Sequence, residues 1–258
     1  MKDLILITGA SSGLGFRMAQ QLAEKGYDLI ISARSVEKLK SLKSDLQTKH
    51  HVDIHVFPSD LSDPNNAVAL YDTVKANGLK VTMLVNNAGA GEYGSFADMT
   101  LKQSISMIDL NVSSLVTLTR LFGEDMRRKK RGRIMNTASL LSYLTLPYFS
   151  VYSATKSFVL AFSENIQAEF ENDNVVVSAI CPGPVDTAFT TSAMSKSYAY
   201  KFNSPADPEA VASAAVAHLL KGKGTKIVGL YNWFLVFVTR ITPSVIMSRF
   251  KKFLGSQG

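Results

Sequence analysis

The sequence predicts an α/β fold: a single-domain, doubly wound parallel sheet with helices on both faces. Three observations carry this. Short apolar runs alternate with longer amphipathic segments, the pattern of parallel strands joined by crossover helices. A glycine-rich turn, Thr8-Gly9-Ala10-Ser11-Ser12-Gly13-Leu14-Gly15, links the first apolar run to the first amphipathic segment. The chain has 258 residues with no internal repeat or low-complexity linker, ample for one large domain and short for two.

The elements follow in order. Leu4–Ile7 reads as a buried strand, and residues 13–25 as a helix stopped by Gly26. Leu29–Ile31 is the second strand, Val36–Lys49 a polar amphipathic helix, and Val52–Phe57 a third strand closed by Pro58. Asp63-Pro64 pairs an N-cap side chain with a first-turn proline and starts the next helix. Val81–Val85 is the fourth strand. Thr100 with Gln103 forms a capping box opening a long helix to about Lys129. Arg133–Thr137 is the fifth strand, residues 150–170 a helix, and Val175–Ile180 the sixth strand. Asp207-Pro208-Glu209 starts a helix to Leu220, and residues 225–229 form the last strand. Right-handed crossovers then give a sheet of Rossmann type over residues 1–229. Residues 230–258 read as an apolar and basic extension of the same domain.

Hydrophobic residues at 46% and charged residues at 19% place the chain among ordinary globular proteins and against disorder. Its 28 basic against 21 acidic residues give a charge of +7, which suits a phosphorylated cofactor, an acidic substrate or an anionic membrane, and equally a surface kept soluble. The basic run Arg127–Arg131 lacks interleaved aromatics and reads as a solvated helix end, so no nucleic acid is expected. Cys181 is the only cysteine. An intramolecular disulfide is impossible, which fits a reducing, cytoplasmic compartment. Four histidines without ligand spacing predict no metal site. No signal peptide and no run of about 18 apolar residues is visible, so no spanning helix is expected.

The glycine turn carries the first chemical inference. Gly9, Gly13 and Gly15 sit where a strand turns into a helix, allowing a tight turn, close approach of a pyrophosphate and close helix–sheet packing. The helix N-terminus offers free N–H groups and a positive dipole end to phosphates. Arg34 ends the second strand, where a carboxylate would bind the ribose 2′-hydroxyl of NAD. An arginine pairs instead with the 2′-phosphate of NADP, which makes NADP the expected cofactor over NAD. The alternative is that Arg34 faces solvent or stacks on adenine. Asp60-Leu61 follows the third strand and reads as a contact to the adenine edge or as a plain loop leading to the next helix. Asn86-Asn87-Ala88-Gly89 ends the fourth strand, in the crevice where such sheets bind ligands, and reads as backbone bracing with cofactor contact or as a plain turn.

The second inference rests on Tyr152-Ser153-Ala154-Thr155-Lys156. A tyrosine and a lysine four apart share one helix face. Reduction of a ketone by hydride creates an alkoxide that needs a proton. A tyrosine can supply it, provided its pKa of about 10 is lowered, and a nearby ammonium lowers it. Ser139 would bind and orient the substrate oxygen. Asn111 would hold a water relaying protons to Lys156, and Lys156 would also reach the ribose of the nicotinamide half. Singly, each has a structural reading: a packing aromatic, a solvated lysine, a cap, and a mid-helix polar side chain.

With these motifs together, the chain resembles the short-chain dehydrogenase/reductase family from Lys2 to about Gly229. The resemblance implies an Asn-Ser-Tyr-Lys tetrad on Asn111, Ser139, Tyr152 and Lys156. It implies cofactor contacts at Gly9, Ser11, Ser12, Gly13, Leu14, Gly15, Arg34, Asp60, Leu61 and Asn87. It further implies contacts in the Pro182-Gly183-Pro184-Val185-Asp186-Thr187 loop, where Val185 and Thr187 would meet the nicotinamide carboxamide. No core motif departs from the pattern. The departure is the tail from Tyr231-Asn232-Trp233-Phe234 to Phe253-Leu254, which resembles a subgroup linked to fatty-acyl and other lipophilic carbonyl substrates. The family also implies a homodimer or homotetramer through the Tyr152 helix and the long helix before it.

An NADPH-dependent reductase of a small lipophilic ketone or aldehyde follows as the first expectation, with an NADP-binding redox sensor or scaffold as the alternative. Residues 189–202, with Phe189, Met194, Tyr198, Tyr200 and Phe202, are expected to cover the substrate or to pack a lid on the body. The tail, with Arg240, Arg249, Lys251 and Lys252, reads as an amphipathic segment. It would rest peripherally on a membrane, cover the substrate mouth, meet a second subunit, or pack on its own domain.

Overall fold

The computed structural model describes residues 2–256. Its strands are β1 (Leu4–Thr8), β2 (Asp28–Ser32), β3 (Ile54–Val56), β4 (Met83–Asn86), β5 (Gly132–Thr137), β6 (Val175–Cys181) and β7 (Gly224–Ile227). They form one parallel sheet in the order β3-β2-β1-β4-β5-β6-β7. The chain winds outward from β1 to β3, then crosses back to β4 on the other side of β1. Strand order therefore reverses between β1 and β4, the place where open α/β sheets form a ligand crevice.

Successive side chains of a strand point to opposite faces, and β1 divides the molecule accordingly. Ile5 and Ile7 enter one core with α1 (Gly13–Glu24), α2 (Val36–His50) and α8 (Pro208–Lys221). Leu4 and Leu6 enter the other with α3 (Asn65–Ala76), α5 (Ser114–Arg128) and α6 (Ser150–Phe170). Both faces are covered, so β1 is buried along its whole length, as parallel strands in such folds are. Each large apolar side chain so buried contributes about 1.5–3 kcal/mol.

The local signals act as expected. Gly26, at φ +82, ends α1. The Asp63 carboxylate accepts from the Asn65 amide at 2.9 Å at the start of α3. Asp207 caps α8 ahead of Pro208. Thr100 and Gln103 form the reciprocal capping box of α4 (Leu101–Ile108). The helix they open is not uniform: residues 109–113 form a π turn before α5 begins. Taken together, Leu101–Arg128 is long and apolar enough to cross a membrane, an 18-residue window within it having a mean hydropathy of 1.2, which the sequence reading did not anticipate. Leu115, Leu118, Phe122 and Met126 on it are buried in the domain. Four of the five cations of the basic run at its end pair with nearby carboxylates. Arg127 and Lys130 pair with Asp173, Arg128 with Glu124, and Arg131 with Asp3.

The lid region contains one short helix, α7 (Tyr198–Phe202), and the tail forms two, α9 (Leu230–Ile241) and α10 (Ser244–Gly255). The tail packs on its own domain. Met247 and Leu254 are buried in a cluster with Leu144, Leu146, Phe149, Tyr152 and Met194. Tyr93 donates to the Gly255 carbonyl at 2.7 Å, and the Tyr198 amide to that of Ser256 at 3.0 Å.

Candidate active site

A cavity of about 830 Å³ opens at the C-terminal ends of the strands. Its polar end is built from backbone. After β1 the chain takes a left-handed turn at Gly9 (φ +68), where an added Cβ would lie 2.9 Å from the Ala88 Cα. Gly15 faces the Gly9 carbonyl and the Asn87 side chain, and a Cβ there would sit 2.3 Å from that carbonyl oxygen. Gly15 is thus the residue that lets α1 lie against β1, and it does not line the cavity, whereas Gly9, Ser11, Ser12, Gly13 and Leu14 do. Ser12 precedes α1 without a capping bond from its side chain, and no acidic residue occupies the first turn. The first N–H groups of α1 are therefore left without a side-chain acceptor, beside the cavity.

Thr8 holds the neighbouring strand end in place. Its hydroxyl accepts from the amides of Asn87 and Ala88, both at 3.0 Å, and Asn87 donates back to the Thr8 carbonyl at 3.1 Å. Asn86 is buried and donates to Asn136 and Thr119, each at 2.9 Å. The bracing expected of the two asparagines is present, and Asn87, Ala88 and Gly89 line the cavity. Thr8 was not singled out in the sequence, although its place directly before Gly9 was the available signal.

Arg34 is exposed at the cavity edge beside Ala33 and Ser35, with no carboxylate partner among the described residues. Asp60 also lines the cavity, but its carboxylate accepts from the amide and hydroxyl of Ser62 at 3.1 and 2.8 Å, so it shapes its own loop. Leu61 is buried beneath it, and its carbonyl accepts from Ser114 at 2.6 Å. After β6, Pro182, Gly183, Val185 and Thr187 complete the wall. Here Val185 bridges to Ala206, and the Pro182 carbonyl accepts from the Leu140 amide at 2.7 Å.

The four candidate catalytic residues converge where this polar end meets an apolar one. Ser139, Tyr152 and Lys156 line the cavity. Asn111 lies in the π turn, buried just behind it. Its side chain accepts from the Ala90 amide and donates to the Ala90 carbonyl, both at 2.9 Å, and donates to Thr155 at 3.0 Å. A Cβ on Gly89 would lie 3.2 Å from Asn111 Oδ1 and 3.5 Å from Lys156 Nζ, so both flank that glycine. Ser139 has two parts to play. Its hydroxyl accepts from the Leu141 amide at 3.1 Å as a cap, and it stands close enough to Tyr152 to act against the rise in that phenol's pKa. Lys156 Nζ donates to the Thr137 carbonyl at 2.7 Å and lies 5.9 Å from the centre of the Tyr152 ring.

The electrostatics differ from the expectation that Lys156 would depress the tyrosine. Both side chains are buried, and burial disfavours charge in each. It pushes the Tyr152 phenol up to about 12, against a lowering by Ser139. It pushes the Lys156 ammonium down to about 8, against a raising influence from Cys181. The arrangement holds a protonated phenol beside a lysine that is mainly cationic at neutral pH.

Beyond Tyr152 the cavity is walled by Leu144, Leu146, Phe149, Phe189 and Met194. The Tyr152 and Phe189 ring centres are 5.7 Å apart. Tyr231, Leu235, Phe250, Phe253 and Leu254 of the tail extend this wall, so the tail covers the cavity as well as packing on the domain. Asn232 of the tail is buried and accepts from Asn203 at 2.7 Å. It ties the lid to the tail beside Gly183, where a Cβ would sit 2.5 Å from its side chain.

The cavity fits a dinucleotide on several counts: glycines where a Cβ would fill the turn, open amides at the start of α1, and a cation without a carboxylate at its edge. Thr137, which lines it, carries a buried hydroxyl with no partner among the described residues.

Comparison with known proteins agrees with this geometry. The family described as short chain dehydrogenase matches residues 3–197. The very-long-chain 3-oxoacyl-CoA reductase of Rattus norvegicus is 32% identical over 186 residues, covering 69% of this chain and 57% of that protein. The 17-beta-hydroxysteroid dehydrogenase type 3 of Homo sapiens is 29% identical, covering 74% of this chain and 61% of that one. The chain thus spans roughly six-tenths of the length of these relatives. A solved short-chain dehydrogenase from Sphingobium yanoikuyae in complex with NADPH superposes with a TM-score of 0.83 at 26% identity, covering 92% of this chain and 93% of that one. With the family match spanning most of its length, this chain belongs to the short-chain dehydrogenase family.

Proposed function

We propose that this protein is an NADPH-dependent reductase of lipophilic ketones or aldehydes, with Tyr152 as the proton donor. The observation that carries the reading is the position of Tyr152 at the meeting of the two ends of the cavity: its ring packs in the apolar cluster, and its helix neighbour Lys156 lines the cavity beside Gly89. The turn from Gly9 to Leu14 would hold the pyrophosphate, Arg34 the 2′-phosphate, Asp60 and Leu61 the adenine side, and residues 182–187 the nicotinamide. When bound, a reduced nicotinamide supplies hydride to the carbonyl carbon.

The chain's own groups supply the rest. Tyr152, held protonated by burial, gives its Oη proton to the carbonyl oxygen, and Ser139 orients that oxygen by hydrogen bonding. Lys156, as the ammonium, stabilises the phenolate left behind. Asn111 fixes the Ala90 backbone and holds the π turn beside Lys156, where a water would complete the proton path. Apolar walls from the lid and tail exclude water and select a substrate with an apolar body. Exposed Ile105 and Ile108 on α4 and Phe158 on α6 are the surface through which a dimer or tetramer would form.

The test is oxidation of NADPH and NADH in the presence of ketones and aldehydes ranging from short polar to long acyl and steroid types. Turnover with NADPH that rises with substrate apolarity is expected. Tight NADPH binding without turnover on any of them would replace the reductase with a redox sensor.

A further inference from the structure

The tail leaves an apolar surface uncovered. On α9, Leu230, Trp233, Phe234, Phe237 and Ile241 recur at helical spacing and are all exposed, with Leu230 at 90% and Ile241 at 64%. The opposite side of α9 carries the buried Asn232 and Val236. On α10, Val245, Ile246, Phe250 and Phe253 are exposed, at 69%, 60%, 41% and 47%, while Met247 and Leu254 are buried. Soluble monomers seldom display so many large apolar side chains contiguously. Both helices also reach the cavity: Tyr231, Phe250 and Phe253 line it and are at the same time half exposed, so the apolar surface and the cavity rim are continuous.

We propose that α9 and α10 form a docking face for an anionic lipid bilayer. Charge decides the occupant. Residues 230–258 hold Arg240, Arg249, Lys251 and Lys252 and no acidic residue. Arg240, Arg249 and Lys252 are exposed among the apolar side chains. A second copy meeting this face through a twofold axis would set the same cations against each other with no carboxylate on either helix to pair with them. An anionic membrane accepts both components, apolar side chains at the acyl boundary and cations at the headgroups. The docking stands on this surface alone. Its corollary, that a lipophilic substrate passes from the membrane into the cavity between Tyr231 and Phe250, rests on the reductase reading.

Trp233 is the only tryptophan and lies on the proposed face, so its emission reports the event directly. The full chain is mixed with vesicles of phosphatidylcholine alone and of phosphatidylcholine with phosphatidylserine. A blue shift of Trp233 emission and co-sedimentation are expected with the mixed vesicles, weakening as salt rises. The double variant Phe234→Glu, Ile246→Glu, whose side chains do not line the cavity, is expected to keep its circular dichroism and to lose vesicle binding by about tenfold or more. Absence of binding to either vesicle overturns the proposal, as does equal binding to both. A blue shift that develops with protein concentration alone, with doubled mass in solution, overturns it in favour of a contact between copies. None of these readouts requires turnover, so failure here is distinct from failure of the reductase reading.

Discussion

The two ends of the cavity are built by opposite means. The polar end is made of backbone held by hydrogen bonds: a left-handed glycine, a helix start, and strand ends tied by Thr8, Asn86 and Asn87. The apolar end is made of side chains from three separate segments, the loop before α6, the lid and the tail. The first tolerates little change because a backbone atom cannot move aside. The second can be recast one side chain at a time, because its contacts are the ends of Phe189, Met194 and Phe253. A fold of this kind keeps one cofactor geometry and varies its substrate.

The sharpest break would come at the boundary between them. Tyr152→Phe keeps the ring in its apolar cluster and removes only the hydroxyl. Reduction is expected to fall by about 10²–10⁴ with cofactor affinity unchanged in titration. Retained turnover would take the proton step away from Tyr152. Next, a pair of glycines tests the contrast in rigidity. Gly15→Ala places a Cβ against a backbone carbonyl and is expected to cost about 1–3 kcal/mol in denaturant unfolding. Gly94→Ala, in the loop on the apolar side with open space around it, is expected to stay within about 0.5 kcal/mol. Equal losses at the two would erase the distinction.

Arg34→Asp confines its effect to the polar end. The ratio of NADPH to NADH efficiency is expected to fall roughly tenfold or more, with the ketone KM little moved. The smallest expected effect is that of pH. Lys156, pushed down to about 8 by burial, is charged below that value and neutral above it. The charge that stabilises the Tyr152 phenolate is therefore present at lower pH and lost as pH rises. The kcat/KM for reduction is expected to fall through about pH 8. A profile flat across that region would detach Lys156 from the proton step.

The sequence was readable where a local rule has one physical cause. Apolar runs located the central strands, because parallel strands buried on both faces must be continuously apolar, whereas the edge strands β3 and β7 carry His55 and Lys226. The spacing of Tyr152 and Lys156 put both on one face of α6. Three things were not readable. The π turn at residues 109–113 has no residue signal, since Asp109-Leu110-Asn111-Val112-Ser113 suits an α-helix equally well. The raised Tyr152 phenol depends on burial in a cluster that includes Met194, Met247 and Leu254, which lie far away in the chain. The part played by Asn232 required knowing that α9 folds back beside Gly183 and Asn203.

The π turn has a consequence for which changes in length the chain can survive. A helix advances about 100° per residue, and a π turn in effect holds one residue more than an α-helix spanning the same path. Removing a single residue among 109–113 would convert the segment into ordinary α-helix and leave α4 and α5 almost collinear. The faces of α4 and α5 would stay in register, and only the local bulge that carries Asn111 to Ala90 and Thr155 would be lost. A genetic screen of one-residue deletions along 101–128 should therefore find the short segment 109–113 tolerated for folding yet barren for activity. In the α-helical flanks, the same deletions would instead turn Leu118, Phe122 and Met126 out of the core and be lost as unfolded protein.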